Sequence, residues 1–295
     1  MSTDPNESGG SPLTWRELWS ETTAALGDRN HARWMCEVAS GCDRDAFLAE
    51  LDQPATQRMV AHLDAMVARR ETGEPLQYVL GSWQFRTLDL MVDPRVLIPR
   101  PETEWVCEAA LQILEPMRQR PRRIADLGTG SGAIGLSIAA ELPIESAEVW
   151  ISDVSADALD VARANLAGIG RAASSVRVVQ GSWFDALPND RKATFDLIIA
   201  NPPYIAEGDP AVDASVFDHE PHGALFSGAD GLDDIRQIVA GGPDWLSRDG
   251  WLVMEIGTTQ GAAVSALLTA DEFRHVEIRK DLGGHDRTAI GQRPL

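Results

Sequence analysis

Asn201-Pro-Pro-Tyr204 follows directly on the apolar run Phe195–Ala200, and no other stretch of the chain is so suggestive of chemistry. Two consecutive prolines stiffen the backbone and remove two N–H donors, leaving the loop as an acceptor surface. Asn201 offers its side-chain oxygen and Pro202 its carbonyl, so together they can take both hydrogens of a planar NH₂ group. Tyr204 supplies a flat face on which a planar amide or base can stack. Such an NH₂ is a poor nucleophile because its lone pair is delocalised. Holding both hydrogens on acceptors orients the nitrogen and stabilises the positive charge that develops there during attack.

A second constellation lies upstream, in Ile124-Ala-Asp-Leu-Gly-Thr-Gly-Ser-Gly-Ala-Ile134. A strand delivers Asp126, then Gly128, Gly130 and Gly132 turn the chain without Cβ atoms and a helix begins. Thr129 and Ser131 lie between the glycines. Glycine lets backbone approach a ligand closely, and the helix N-terminus offers free N–H donors. Gly130-Ser-Gly132-Ala-Ile-Gly135 also satisfies the dinucleotide fingerprint, and Asp153 could hold ribose hydroxyls under either reading. Two details favour S-adenosylmethionine. Asp126 can face a cationic ligand end but would repel a pyrophosphate, and Gly128 stands two residues ahead of the dinucleotide pattern.

These groups need a scaffold, and the hydrophobic pattern supplies one. Strands are expected over 123–127, 148–152, 176–180, 195–200 and 251–256. Helices are expected over 132–142, 156–166, 233–246 and 259–268, and 273–279 with 287–291 reads as an antiparallel pair. Such alternation means a mostly parallel sheet covered on both faces, with ligands at the C-terminal ends of its strands. Ahead of it, Thr14 and Glu17 fit a capping box opening a helix with Leu18, Trp19 and Leu26. Further helices fit 31–40, stopped by Gly41, and 55–70, ended by Gly73 and Pro75. The Trp and Met stripe of this bundle is expected to be core packing. From Leu76 the pattern changes: Leu88, Leu90 and Val92 alternate with Asp89, Met91 and Asp93, as in a hairpin or extended connector. It leads to Ile98-Pro-Arg-Pro-Glu-Thr-Glu104, where prolines on both sides of Arg100 forbid helix. The organisation expected is a disordered tail over 1–11, a helical bundle over 12–74, a β connector over 75–100 and an α/β domain over 101–295.

Bulk properties narrow the partners. The 295 residues carry 26 basic and 45 acidic side chains, a formal charge of −19, with only two lysines, Lys192 and Lys280. A duplex-binding module neutralises phosphates with Lys and Arg, and the one basic run here is 118–123, so direct nucleic-acid binding is not expected. Cys36, Cys42 and Cys107 form no Cys-x-x-Cys pair, which argues for a reducing compartment and against a zinc site. His219 and His222 are a lone close pair, and no metal is expected. No stretch reaches the ~18 apolar residues of a membrane span. The polar start lacks a signal-peptide core, so a cytoplasmic location without membrane attachment is expected.

Asn-Pro-Pro-Tyr together with Asp-Leu-Gly-Thr-Gly-Ser-Gly-Ala-Ile and Ile-Pro-Arg-Pro-Glu-Thr-Glu resembles the protein-(glutamine-N5) methyltransferases that modify class-1 peptide-chain release factors. The resemblance runs from about Gly73 onward and includes Gly73-Glu-Pro-Leu76, Gly181-Ser-Trp-Phe184, Glu220-Pro221 and Asp281-Leu-Gly-Gly-His-Asp-Arg287. It implies a class I, Rossmann-like methyltransferase fold behind an N-terminal helical bundle that docks the release factor. It implies methylation of the glutamine amide in a Gly-Gly-Gln motif by a monomer using S-adenosylmethionine. Asp126 and the loop Gly128, Thr129, Gly130, Ser131 and Gly132 would hold the methionine part of the cofactor. Asp153 would take the ribose, Trp183 would lie along the adenine, and Asn201 would touch cofactor and substrate. Asn201, Pro202, Pro203 and Tyr204 would grip the glutamine, with Arg100 helping to close the pocket. His31-Ala-Arg-Trp-Met-Cys36 departs from the more acidic, leucine-rich helix expected there. The alternative is an N-methyltransferase acting on an exocyclic amino group of adenine or guanine, since Asn-Pro-Pro-Tyr is shared with such enzymes.

Overall fold

The computed structural model describes residues 13–117 and 121–294. The expected tail over 1–11 and residues 118–120 of the basic run lie outside them. The chain divides into two compact units, one up to Leu80 and one from Gly81.

The first unit is helical: α1 (Trp15–Leu26), α2 (Arg29–Ser40), α3 (Arg44–Ala49), α4 (Gln57–Glu71) and α5 (Leu76–Leu80). The capping box is present, with the Thr14 hydroxyl accepting from Glu17 N and the Glu17 carboxylate accepting from Thr14 N. Asp28, Asp43 and Thr56 cap the next three helices in the same way, each satisfying N–H groups that the first turn leaves open. Trp15, Met35, Phe47, Leu63 and Met66 fill the centre, so the aromatic and Met stripe is core. One boundary differs from expectation. Gly73 stops α4 at a positive φ of 91°, but Pro75 opens α5 instead of ending a helix, its carbonyl accepting from Tyr78 N and Val79 N. Proline suits the first turn because its missing N–H would have no partner there.

The second unit opens with the hairpin β1 (Ser82–Phe85) and β2 (Leu88–Met91), then α6 (Thr103–Leu114). Seven strands form the main sheet: β3 (Arg122–Leu127), β4 (Ala147–Asp153), β5 (Val176–Gln180), β6 (Phe195–Ala200), β7 (Leu246–Glu255), β8 (Arg274–Lys280) and β9 (Asp286–Gln292). Their order is β5-β4-β3-β6-β7-β9-β8, parallel from β5 to β7 and antiparallel for β9 and β8. The helices α7 (Ala133–Glu141), α8 (Ala156–Gly168), α9 (Ala214–His219), α10 (Asp233–Trp245) and α11 (Gly261–Ala270) connect them. One buried cluster gathers Val106, Leu136, Ile151, Leu197 and the hairpin residues Phe85 and Leu90; another gathers Leu127, Ile198, Ile238, Leu252 and Val264. These are the two covered faces that alternating elements require. β7 starts earlier than its apolar run suggests, because Leu246 already pairs with Phe195 before residues 247–250 loop out.

Chain order reverses at β3: β4 lies on one side and β6 on the other. Crevices at such reversal points hold ligands in open α/β sheets. Leu127 is registered against Ala200, so the glycine turn and the Asn-Pro-Pro-Tyr loop leave adjacent strands at the same level.

Candidate functional site

A cavity of about 440 Å³ opens at that reversal point. Gly128, Thr129, Gly130 and Ser131 form one wall, Asp153 and Trp183 a second, and Asn201 and Pro203 a third. Eight of the residues singled out by sequence thus meet around one space. Asp126, Gly132, Pro202, Tyr204 and Arg100 do not line it.

The glycine turn is shaped by three left-handed residues, with φ of 72°, 56° and 87° at Gly128, Gly130 and Gly132. A Cβ on Gly128 would come within 3.1 Å of the Trp183 ring, so the narrow gap between turn and indole requires glycine. Asp126 stands behind the turn, 1% exposed. Its Oδ2 accepts from Thr129 Oγ1 at 2.6 Å and from Gly135 N at 2.9 Å. Burial pushes its carboxyl up to about 6, against those two hydrogen bonds. The residue therefore braces the loop from behind, without contact at the cavity wall.

Asp153 ends β4. Its Oδ2 accepts from Gly130 N and its Oδ1 from Ser155 N, each at 2.9 Å. One bond to each oxygen leaves further lone pairs for a pair of vicinal hydroxyls. Burial raises its pKa. Val154 beside it is 69% exposed, an apolar surface suited to a flat ring. Trp183, held at a φ of 42°, donates its indole N–H to Asp234 Oδ1 at 3.1 Å, which fixes the ring plane. Asp234 Oδ2 in turn takes the Ser227 hydroxyl at 2.7 Å.

At the third wall, Asn201 Nδ2 lies 3.5 Å from Thr103 Oγ1. Pro202 is buried. Tyr204 packs its ring against the second core cluster and donates its hydroxyl to Glu255 Oε1 at 3.2 Å. Burial beside that acid pushes the phenol pKa up, so it stays protonated. Gln260 ties the loop down by donating to the Tyr204 carbonyl at 2.9 Å. Arg100 pairs with Glu220, whose other oxygen accepts from Ile98 N at 3.1 Å. Glu220 precedes Pro221, Gly223 and Ala224 of the cavity rim, so the pair fastens the Ile-Pro-Arg-Pro turn to that rim.

Sequence reasoning missed Thr103, Glu220, Glu255 and Asp234 as contributors. Thr103 and Glu220 lie inside motifs noted above. Glu255 carried one signal, a lone acid inside the otherwise apolar run Trp251–Ile256. Among the described residues no cluster of His, Cys, Asp or Glu is arranged to hold a metal ion, and no helix is long and apolar enough to cross a membrane.

The donor set fits S-adenosylmethionine: a carboxylate for a ribose diol, a fixed indole and an exposed valine for a flat base, and open backbone at the glycine turn. Oxygen acceptors suit the cationic end, and the Arg95 side chain at the cavity is paired with Asp93. The Asp153 carboxylate at the wall and the buried Asp126 behind the turn disfavour a dinucleotide's pyrophosphate.

Residues 17–81 match the family model described as PrmC N-terminal domain, and residues 107–219 match Methyltransferase small domain. The chain is 44% identical over 256 residues to the release factor glutamine methyltransferase of Xylella fastidiosa (strain 9a5c), covering 87% of this chain and 90% of that protein. To the one from Burkholderia pseudomallei it is 39% identical over 292 residues, covering 98% and 99%. Among solved structures, the N-terminal domain of human METTL16 in complex with SAH aligns with a TM-score of 0.51 at 18% identity, covering 81% of this chain and 82% of that one, a likeness of fold.

Proposed function

The chain belongs to the release factor glutamine methyltransferases, and from that premise we propose that it transfers a methyl group from S-adenosylmethionine to the side-chain amide nitrogen of the Gly-Gly-Gln glutamine in class-1 release factors. The observation that carries this reading is the register of β3 with β6, which sets the glycine turn beside the Asn-Pro-Pro-Tyr loop. S-adenosylmethionine supplies an electrophilic methyl group on a sulfonium sulfur. Asp153 binds the ribose, Trp183 and Val154 border the base, and Asp126 keeps the glycine turn in shape.

Asn201 Oδ1 and the Pro202 carbonyl accept the two amide hydrogens of the glutamine. That grip turns the nitrogen toward the methyl group and favours the charge that builds on it. Pro203 and the Tyr204 ring border the amide plane, and Arg100 keeps the rim closed through Glu220. The helical unit is assigned to docking the release factor, supported by its match to a family domain of its own. A cytoplasmic monomer without direct nucleic-acid contacts fits the charge of −19. The same charge disfavours methylation of adenine or guanine in a polyphosphate.

Mass spectrometry of the Gly-Gly-Gln peptide tests the proposal, after the protein is incubated with S-adenosylmethionine and a release factor, with DNA in a parallel reaction. One added methyl on the glutamine is expected. An unmodified glutamine, or methylated DNA alone, would overturn it.

A further inference from the structure

Behind Asn201 runs a chain of polar groups that the reaction above leaves without a role. Thr103, the first residue of α6, donates its hydroxyl hydrogen to Glu255 Oε2 at 2.6 Å. Glu255 is fully buried at the end of β7, and its Oε1 takes the Tyr204 hydroxyl. A threonine hydroxyl has one hydrogen. Once that hydrogen is given to Glu255, only lone pairs of Oγ1 remain to face Asn201. The Asn201 NH₂ can therefore lie against Thr103, whereas its oxygen would meet another oxygen there. At 3.5 Å the contact is too long to hold much energy. What it does is exclude the flipped amide.

We propose that Glu255, acting through the Thr103 hydroxyl, is a positioning residue that fixes the Asn201 amide with its oxygen turned to the substrate nitrogen. The inference rests on the methyltransferase reading and deepens it by naming what orients its central acceptor.

An ionised Glu255 accepts from both hydroxyls and leaves one arrangement of hydrogens. A protonated Glu255 donates one hydrogen of its own. Given to Thr103, that hydrogen turns the threonine's own toward Asn201 and favours the flipped amide. Burial pushes Glu255 up to about 7. Thr103 opposes that rise by its hydrogen bond and Arg287 of β9 by its charge; Glu102, just ahead of α6, adds to it, and the Tyr204 hydroxyl lowers it. The orienting device thus switches on as pH rises through the neutral range.

The test is single-turnover methylation of a release factor by the parent, Thr103→Ser, Thr103→Val, Glu255→Gln, Asn201→Ala and the Thr103→Val/Asn201→Ala pair. Cofactor affinity is measured on each. Thr103→Val should slow the reaction about two- to fivefold, because it lets the flipped amide compete without favouring it, with cofactor affinity kept within about twofold. Thr103→Ser, which keeps the hydroxyl, should restore the parent rate. Thr103→Val should cost nothing further once Asn201 is alanine, because no amide remains to orient. The parent rate should climb between about pH 6 and pH 8, and Glu255→Gln should flatten that climb. A parent-like Thr103→Val, or costs that simply add in the pair, overturns the inference while leaving the methyltransferase reading intact. If the parent fails to methylate, that reading falls. The inference is then decided by NMR of the nitrogen-labelled Asn201 amide: NH₂ contacts to Thr103 uphold it and their absence overturns it.

Discussion

Asn201 and Asp153 face the same cavity, and substitution should separate the tasks proposed for them. Asn201→Ala should slow methylation by roughly 10²–10³, or ~2.7–4 kcal/mol, while cofactor affinity is largely kept. Asn201→Asp keeps an acceptor oxygen and should retain more activity than the alanine. Asp153→Ala should instead weaken S-adenosylmethionine binding roughly ten- to hundredfold, since bonds to a charged acceptor contribute about 1.5–3 kcal/mol. Calorimetry and single-turnover rates on the same variants check both, and a reversed pattern would exchange the two roles. Glu255 adds a stability signature. Burial raises its folded pKa from an ordinary 4.5 to about 7. The folded state therefore prefers the protonated form, so this group's contribution is full below the unfolded value and is lost as pH rises through the folded one. Glu255→Gln removes the charge, so its melting temperature relative to the parent should be higher at about pH 8 than at about pH 5. An equal difference at both would mean the acid is not held against its charge.

Elements carry the next level, and α8 shows how. Asn165 on this helix accepts from Met91 N at 2.7 Å and donates to Met91 O at 3.0 Å and Ser131 O at 2.8 Å. One buried amide thus ties the hairpin and the glycine turn to the same helix. Asn165→Ala strands buried polar groups and should cost about 1–3 kcal/mol, with cofactor affinity falling as the turn loosens. Denaturant unfolding and calorimetry would show it, and lowered stability with unchanged affinity would free the turn from α8. What could be read in advance divides along the same line. The glycine turn and Asn-Pro-Pro-Tyr are local, so residue type and the strand before each sufficed, as did the alternation of strands and helices. Leu76–Leu80 read as connector because Pro75 looked like a stop. The Thr103–Glu255 bond spans 152 positions and depends on α6 lying over the end of β7, which no local pattern encodes.

For the whole molecule, every residue lining the cavity falls between Arg95 and Asp234, inside the second unit. A protein shortened to residues 81–295 should therefore bind S-adenosylmethionine about as well as the parent. If the helical unit docks the release factor, the shortened protein should methylate it far more slowly, with the loss showing as a raised KM. Calorimetry and steady-state rates would test this, and loss of cofactor affinity would show that the second unit depends on the first. The sheet order β7-β9-β8 has a consequence of its own. β8 is synthesised before β9, yet β9 lies between β8 and β7. Until β9 emerges, β7 keeps a bare edge of unpaired N–H and C=O groups and β8 has no neighbour to join. The newborn chain therefore passes through a stage in which the open edge of β7 offers a template to other chains. A chain cut before Asp286 would be held at that stage, its cradle and acceptor loop already synthesised, and aggregation would be its expected fate.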